Sequence, residues 1–260
     1  MGERSGDGES RIPRIIHYVW LGGKPFGSLE KLCFGSWQRH LPNWEIRRWD
    51  EGNAAMDHPF VSRMMARGLV AFASDQIRLA ALYEHGGLYL DTDMELCGSL
   101  MPLLNAPCVT GFLSEQNRVS KNSVALGLLA AQPRHPWIGE LLGMYDRMEK
   151  AVMNTSLATA SLRAKGLQGM RRSPPSVDFV LLEGIKIYHS DYFYPPKIQG
   201  RLVDQARTVA RHHGTAAWGG SADPLPWLRR VLDLRLDRKI LRPIEHWFRR
   251  LRKWKRSLAE

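Results

Sequence analysis

Apolar and polar positions along this chain fall into short segments whose period switches between two and about 3.6. Ile12 to Trp20 (I-P-R-I-I-H-Y-V-W) is rich in β-branched and aromatic residues and stops at Leu21-Gly22-Gly23. That predicts a first, mostly buried strand running into a glycine loop. Leu29 to His40 has helical spacing and ends at Leu41-Pro42-Asn43, whereas Trp44 to Trp49 alternates and predicts a second strand. Val61 to Leu69 reads as a helix. Phe72 to Leu96 then predicts a helix, a stop and a strand. Ser74 is the expected N-cap, with Asp75 in the first turn, where the helix dipole favours negative charge. Gly86-Gly87 stop the helix, and Leu88-Tyr89-Leu90 form the strand.

Further along, a strand is expected at Cys108 to Phe112 and an apolar helix at Val124 to Ala131, after Asn122-Ser123. Helices are expected over Trp137 to Met153 and Thr155 to Leu167, and strands at Val177 to Leu182 and Ile185 to Tyr188. Tyr192 to Pro196 reads as an extended aromatic-proline loop, and Val209 to His213 as a late strand. Strands and helices alternate through the first half, so the class is α/β, with ligands expected at the carboxyl ends of the strands.

Length and composition fit one such domain: 260 residues, 44% hydrophobic and 24% charged. Charge changes the picture more. The 37 Lys and Arg against 26 Asp and Glu give +11. Twelve of those basic residues and only four of the acidic ones lie in 227–260, so the remainder is nearly neutral. The expected organisation is a disordered 1–11, a catalytic-looking domain at 12–226 and a basic tail at 227–260. Three widely spaced cysteines (Cys33, Cys97, Cys108) argue against a disulfide framework or a zinc site and fit a reducing compartment. The polar N-terminus has no apolar segment of a secretory leader, and no run of 18 apolar residues occurs.

The candidate chemistry begins at Asp91-Thr92-Asp93, where a buried strand ends. Carboxylates this close repel unless a cation or a proton lies between them, and a hard divalent metal resolves that most simply. A bare D-x-D is frequent by chance; the preceding double glycine and apolar strand give it weight. A phosphatase of the haloacid-dehalogenase type, with Asp91 as nucleophile, is the competing enzyme reading. It wants Thr or Val where Glu95 stands. A non-catalytic sugar-binding module is the third reading. Asp75 and Arg78, at i,i+3, share a helix face: either a surface ion pair or groups turned toward the cleft of Asp91. Of His212-His213, alternation lets at most one complete a metal site with the aspartates. Trp20 and Trp218 are core or rim residues, or stacking faces for a base or sugar.

In these blocks the sequence resembles the family 32 glycosyltransferases, the group with a DXD sugar-binding region. The resemblance is carried by I-P-R-I-I-H-Y-V-W-L-G-G at 12–23, S-W-Q-R-H-L-P-N-W-E at 36–45 and A-S-D-Q-I-R-L-A-A-L-Y-E-H-G-G-L-Y-L-D-T-D at 73–93. N-S-V-A-L-G at 122–127, Y-F-Y-P-P at 192–196 and H-H-G-T-A-A-W at 212–218 follow in order. The resemblance implies a GT-A fold and retaining transfer from a nucleotide sugar (UDP- or GDP-linked) with Mn²⁺ or Mg²⁺. It implies that Val19 and Trp20 contact the base, with Tyr89, Asn122 and Trp218 in the donor-binding set. Asp75 and Arg78 would bind the donor sugar and phosphate, and Asp91, Asp93 and His213 the metal. The chain departs from the family pattern at Thr159-Ala160-Ser161, Gly214 and Ala217.

Ile240 to Leu258 places Ile240, Leu241, Ile244, Trp247, Phe248, Leu251, Trp254 and Leu258 on one helical stripe, with Arg249, Arg250, Arg252, Lys253, Lys255 and Arg256 covering the rest. A basic amphipathic helix of this kind either docks on the core or lies in the plane of an anionic membrane. No aromatic-basic module points to nucleic acid. The expectation is a cytoplasmic enzyme, peripheral at the inner face of the membrane, acting on a glycan or lipid-linked acceptor.

Overall fold

A computed structural model describes residues 12–113, 123–167, 179–198 and 201–214. The expectations for 1–11, Asn122, Trp218 and the basic tail lie outside the described residues. Its strands are β1 (Ile15–Val19), β2 (Glu45–Trp49), β3 (Gly87–Leu90), β4 (Met94–Leu96), β5 (Cys108–Phe112), β6 (Val124–Ala131), β7 (Phe179–Leu182), β8 (Ile185–Tyr188), β9 (Lys197–Ile198), β10 (Arg201–Leu202) and β11 (Ala210–His212). Its helices are α1 (Ser28–His40), α2 (Pro59–Ala66), α3 (Val70–His85), α4 (Pro136–Asp146), α5 (Asn154–Ala164) and the single turn α6 (Ser190–Phe193).

Seven strands form one mixed sheet in the order β2-β1-β3-β6-β5-β8-β7. β1 pairs parallel with β2 and β3, and β5 with β8, while β6 runs antiparallel between β3 and β5. β4 and β11 form a separate antiparallel pair. Alternation along the strands divides the core in two. Val19, Tyr89, Leu129 and Phe112 face α2, α3, α4 and α5 through Phe60, Ile77, Leu141 and Leu162. Ile16, Leu88, Leu90 and Val109 face the other way, onto Cys33 and Trp37 of α1, Phe193 of α6 and the β4–β11 pair. Helices on both faces give the α/β class.

Several elements differ from the pattern reading: Tyr192 and Phe193, read as extended loop, close the single turn α6, and larger differences lie elsewhere. Val124–Ala131 is a strand, not a helix. All eight residues are buried between β3 and β5, and a short, continuous apolar run has no period to separate the two structures. α3 begins at Val70, so Ser74 lies inside the helix and donates to the Ala71 carbonyl at 2.7 Å instead of capping. α4 stops at Asp146, although Met148 and Val152 continue its spacing, because the chain turns back there to lay α5 against β6. The double glycine is required sterically. Gly86 and Gly87 have φ of 62° and 103°, and a Cβ on Gly87 would lie 2.6 Å from the Ile15 carbonyl oxygen.

Candidate active site

β1 and β3 are parallel, with His17 level with Tyr89, so the end of β1 and the Asp91-Thr92-Asp93 turn share one edge of the sheet. The turn is closed by Met94 N–H donating to the Asp91 carbonyl at 2.9 Å. Asp91 follows Tyr89 in the alternation and so lies on the α3 side. Arg78 Nη1 is 3.2 Å from its Oδ1, and the Tyr89 hydroxyl donates to the same oxygen at 3.1 Å. Oδ2 is 3.8 Å from His212 Nε2, and Asp93 Oδ1 is 3.2 Å from that nitrogen. One oxygen of Asp91 is thus anchored in the protein and the other faces the cluster. Asp91, Asp93 and His212 each offer a ligand atom, all within 4.8 Å of one another and all half-buried.

His213, expected as the third metal ligand, turns the other way. Its Nε2 lies 3.0 Å from Glu95 Oε2, which is also 3.3 Å from Arg211 Nη1. Alternation along β11 is the cause: Arg211 pairs across the ladder with Glu95, and the next residue, His212, projects to the opposite side. Trp37 Nε1 donates to the Met94 carbonyl at 2.6 Å, and Leu96 N–H donates to Ser36 Oγ at 2.9 Å, so α1 fixes the strand that leaves the turn.

Behind Asp91 is a buried charged network. Arg78 and Asp75 are 5% and 6% exposed, with Arg78 Nη2 2.9 Å from Asp75 Oδ1. Asn154, the first residue of α5, donates to that same oxygen at 2.6 Å. Arg78 Nη1 also donates to the Leu126 carbonyl at 3.0 Å, and its guanidinium lies 4.4 Å above the Tyr89 ring. Burial raises the Asp75 pKa to about 6: the single guanidinium is shared with Asp91, and the Asp91 charge adds to the penalty. Burial works against the Arg78 charge, but Asp91, Tyr89 and Asp75 outweigh it, and its pKa is raised. Burial likewise holds Tyr89 protonated, well above the usual phenol value.

The wall opposite α3 is backbone. Between Val109 and Gly111, β5 advances two residues while β6 uses five, Ala130 to Ala125. The excess residues leave the β5 ladder while Leu128 and Leu129 stay paired with β3, so polar groups on their β5 side turn to the site, as at bulges beside active sites. Gly127 O accepts from Asp91 N–H at 2.8 Å, and Leu128 N–H donates to the Tyr194 hydroxyl at 2.8 Å. A Cβ on Gly127 would lie 2.6 Å from Asp91 Oδ2. At the β1 end, Val19 is buried in the core, whereas Trp20 is part-exposed, packs edge-on to Phe26 and donates to the Lys24 carbonyl at 2.6 Å. Thr159 and Ser161 lie in α5 and are structural: Thr159 Oγ1 accepts from Val124 N–H at 2.9 Å, and Ser161 Oγ accepts from Trp137 Nε1 at 3.1 Å.

Residues 27–110, which span both the buried network and the two aspartates, match the family model described as a glycosyltransferase sugar-binding region containing a DXD motif. The likeness to that family covers about a third of the chain. Among curated relatives, an inositol phosphoceramide mannosyltransferase of Schizosaccharomyces pombe is 26% identical over 135 residues, 49% of this chain and 35% of that protein. An uncharacterized glycosyltransferase of Acanthamoeba polyphaga mimivirus is 24% identical over 196 residues, 71% of this chain and 73% of that protein. The chain therefore spans about a third of the mannosyltransferase. Among solved structures, the galactosyltransferase LgtC in complex with donor and acceptor sugar analogs is 15% identical, covering 86% of this chain and 98% of that one, with a TM-score of 0.47.

The DXD region contains four of the expected site residues: Asp75, Arg78, Asp91 and Asp93. His212 reaches it from β11. Gly127, Asn154 and Tyr194 are not marked as site residues by type, although Gly127 and Tyr194 sit in blocks that carry the resemblance. Nothing local in the sequence marks their long-range partners.

Proposed function

We propose that this chain is a metal-dependent glycosyltransferase that moves a sugar, with retention, from a UDP- or GDP-linked donor to a glycan or lipid-linked acceptor. The observation that carries the reading is the Asp91–Asp93–His212 cluster, its two carboxylates at the end of a buried strand within the matched region. Two carboxylates and one imidazole are a donor set suited to Mn²⁺, and Mg²⁺ would use the oxygens. A divalent cation held there supplies charge neutralisation to a leaving diphosphate. Asp91, Asp93 and His212 are the residues that would hold it. Arg78, fixed beneath Asp91, orients that carboxylate and adds positive charge where negative charge develops. Asp75, whose contacts to Arg78 and Asn154 are both on Oδ1, would offer Oδ2 to a donor hydroxyl. Trp20, the part-exposed aromatic at the end of β1, serves as the base platform. The acceptor hydroxyl attacks the anomeric carbon as its bond to the diphosphate breaks, and the departing phosphate takes the proton.

Asp93→Asn tests this. Turnover of nucleotide sugars with Mn²⁺ by the full chain is expected to fall at least about 100-fold, with the circular dichroism spectrum and melting temperature held. An equally active variant removes the assignment.

The acceptor side rests on the name of the Schizosaccharomyces pombe relative, which is that of a glycolipid enzyme, and on the basic amphipathic pattern of 240–258. No helix among the described residues is long and apolar enough to cross a membrane. The tail is proposed to lie in the plane of an anionic inner membrane and bring the site to a lipid-linked acceptor, in glycolipid or polysaccharide synthesis. Sedimentation with phosphatidylserine liposomes is expected for the wild-type chain and lost in the quadruple variant Arg249→Glu, Arg250→Glu, Arg252→Glu, Lys253→Glu. Equal sedimentation rejects the tail as anchor.

A further inference from the structure

Tyr194 is fully buried, 2% exposed, and touches both sides of the cluster without belonging to it. Its hydroxyl accepts from Leu128 N–H at 2.8 Å, inside the excursion of β6. The preceding residue, Gly127, passes so close that a Cβ there would lie 3.4 Å from the Tyr194 oxygen and 2.6 Å from Asp91 Oδ2. The Gly127 carbonyl holds Asp91 N–H. The Tyr194 ring also stands edge-on to the imidazole of His212, with centroids 5.7 Å apart and planes at 76°. Gly111 fits the ring from behind: a Cβ there would meet Phe193 at 2.8 Å and Tyr194 at 3.4 Å. One side chain therefore fixes the backbone that places Asp91 and backs the ring that completes the cluster. The two groups come from strands on different sheets.

We infer that Tyr194 is a positioning residue for the carboxylate–imidazole cluster, acting through Leu128 and Gly127 on Asp91 and through ring contact on His212. The inference rests on the metal reading above. Buried hydroxyls that satisfy a backbone N–H outside a regular ladder fix that backbone, because the donor left alone is costly. Loss of the Tyr194 hydroxyl lets residues 126–128 shift, and the cluster loses its spacing before the fold is lost.

The test is Mn²⁺ binding by the full chain, followed by the loss of the free-ion electron paramagnetic resonance signal, with melting temperature measured alongside. Tyr188→Phe is the control: its hydroxyl donates to the Leu103 carbonyl at 3.1 Å in the same aromatic cluster, remote from the aspartates. Tyr194→Phe is expected to weaken Mn²⁺ about 5- to 10-fold, the scale of one buried hydrogen bond, while Tyr188→Phe leaves it unchanged at a similar melting temperature. Gly111→Ala, which crowds the ring and keeps the hydroxyl, is expected to weaken Mn²⁺ as well and stands in should Tyr194→Phe fail to fold. Wild-type binding with equal affinity in Tyr194→Phe, or an equal loss in Tyr188→Phe, overturns the inference alone. A wild-type chain that takes up no Mn²⁺ overturns the metal reading and the inference together.

Discussion

Asp75→Asn should stabilise the protein at neutral pH and damage its function. Asp75 is buried, and its folded pKa is raised from 3.8 to about 6. The folded state therefore binds the proton more readily than the unfolded chain. Stability from this residue is greatest below the unfolded value and is lost as pH rises through the folded one. Rather more than two pKa units at about 1.4 kcal/mol each puts the cost of the ionised group at about 3 kcal/mol at pH 8. Asparagine resembles the protonated acid in shape and charge. Its oxygen still accepts from Asn154 and Arg78, and Arg78 keeps Asp91 as counter-ion. The variant should be more stable by up to about 3 kcal/mol at pH 8, or roughly 6–10 °C in melting temperature for a domain of this size. By pH 5 the gap should fall to about half, as the wild-type carboxyl takes up its proton. Urea unfolding of both chains at pH 8 and pH 5, read by tryptophan fluorescence, measures the gap and its pH dependence. A gap that does not change with pH, or a variant less stable at pH 8, refutes the reasoning. Sugar transfer by the variant should fall even as stability rises, the usual sign of a group kept for function.

Two further outcomes follow from the same geometry. His212→Ala should weaken Mn²⁺ at least about tenfold by isothermal titration, whereas His213→Ala, which loses only a Glu95 contact, should change it less than about threefold. The pH dependence of stability should carry an opposite slope from His17. This residue accepts from Trp49 Nε1 on Nδ1, donates from Nε2 to the Gly86 carbonyl, and is held neutral by burial, with its pKa lowered to about 4. A lowered histidine pKa costs stability as pH falls from the unfolded value of 6.5 toward 4, about 3 kcal/mol in full. His17→Gln should remove that slope from an acid-titration series of unfolding curves.

Periodicity located the elements well where a boundary residue forced them. α1 ends beside Leu41-Pro42, and the tight approach at Gly87 could only be made without a side chain. It failed for Val124–Ala131, since a strand buried on both faces and a buried helix have the same composition. It also failed at Ser74, a good cap by type that lies inside a helix whose start is set by packing of Phe72 and Ala73. At the site, Asp91, Asp93, Asp75 and Arg78 were legible because they lie within one strand and one helix. The choice between His212 and His213 was not. It depends on which residue of β11 lies opposite Glu95, a register that no local pattern encodes. Asn154 and Tyr194 were hidden for the same reason: each acts on a partner more than 60 residues away.

The division of the core into two faces explains why the cluster needs so much of the chain. Arg78 and Tyr89 reach Asp91 from the α3–α5 face, with Asn154 behind them on Asp75, and His212, backed by the Tyr194 ring, reaches it from the α1–β11 face. A regular β6 between them would insulate one face from the other, since its side chains would alternate and its backbone groups would all be paired in the ladder. Its excess residues break that insulation. Leu126 O turns to Arg78 and Leu128 N–H to Tyr194, while Gly127 O, holding Asp91 N–H, continues the β3–β6 register between them. Asp91 can then be fixed from one side by charge and from the other by backbone, with one carboxylate oxygen left for the cluster. A substitution that restored regular pairing in β6 would therefore be expected to stiffen the sheet while disarming the site.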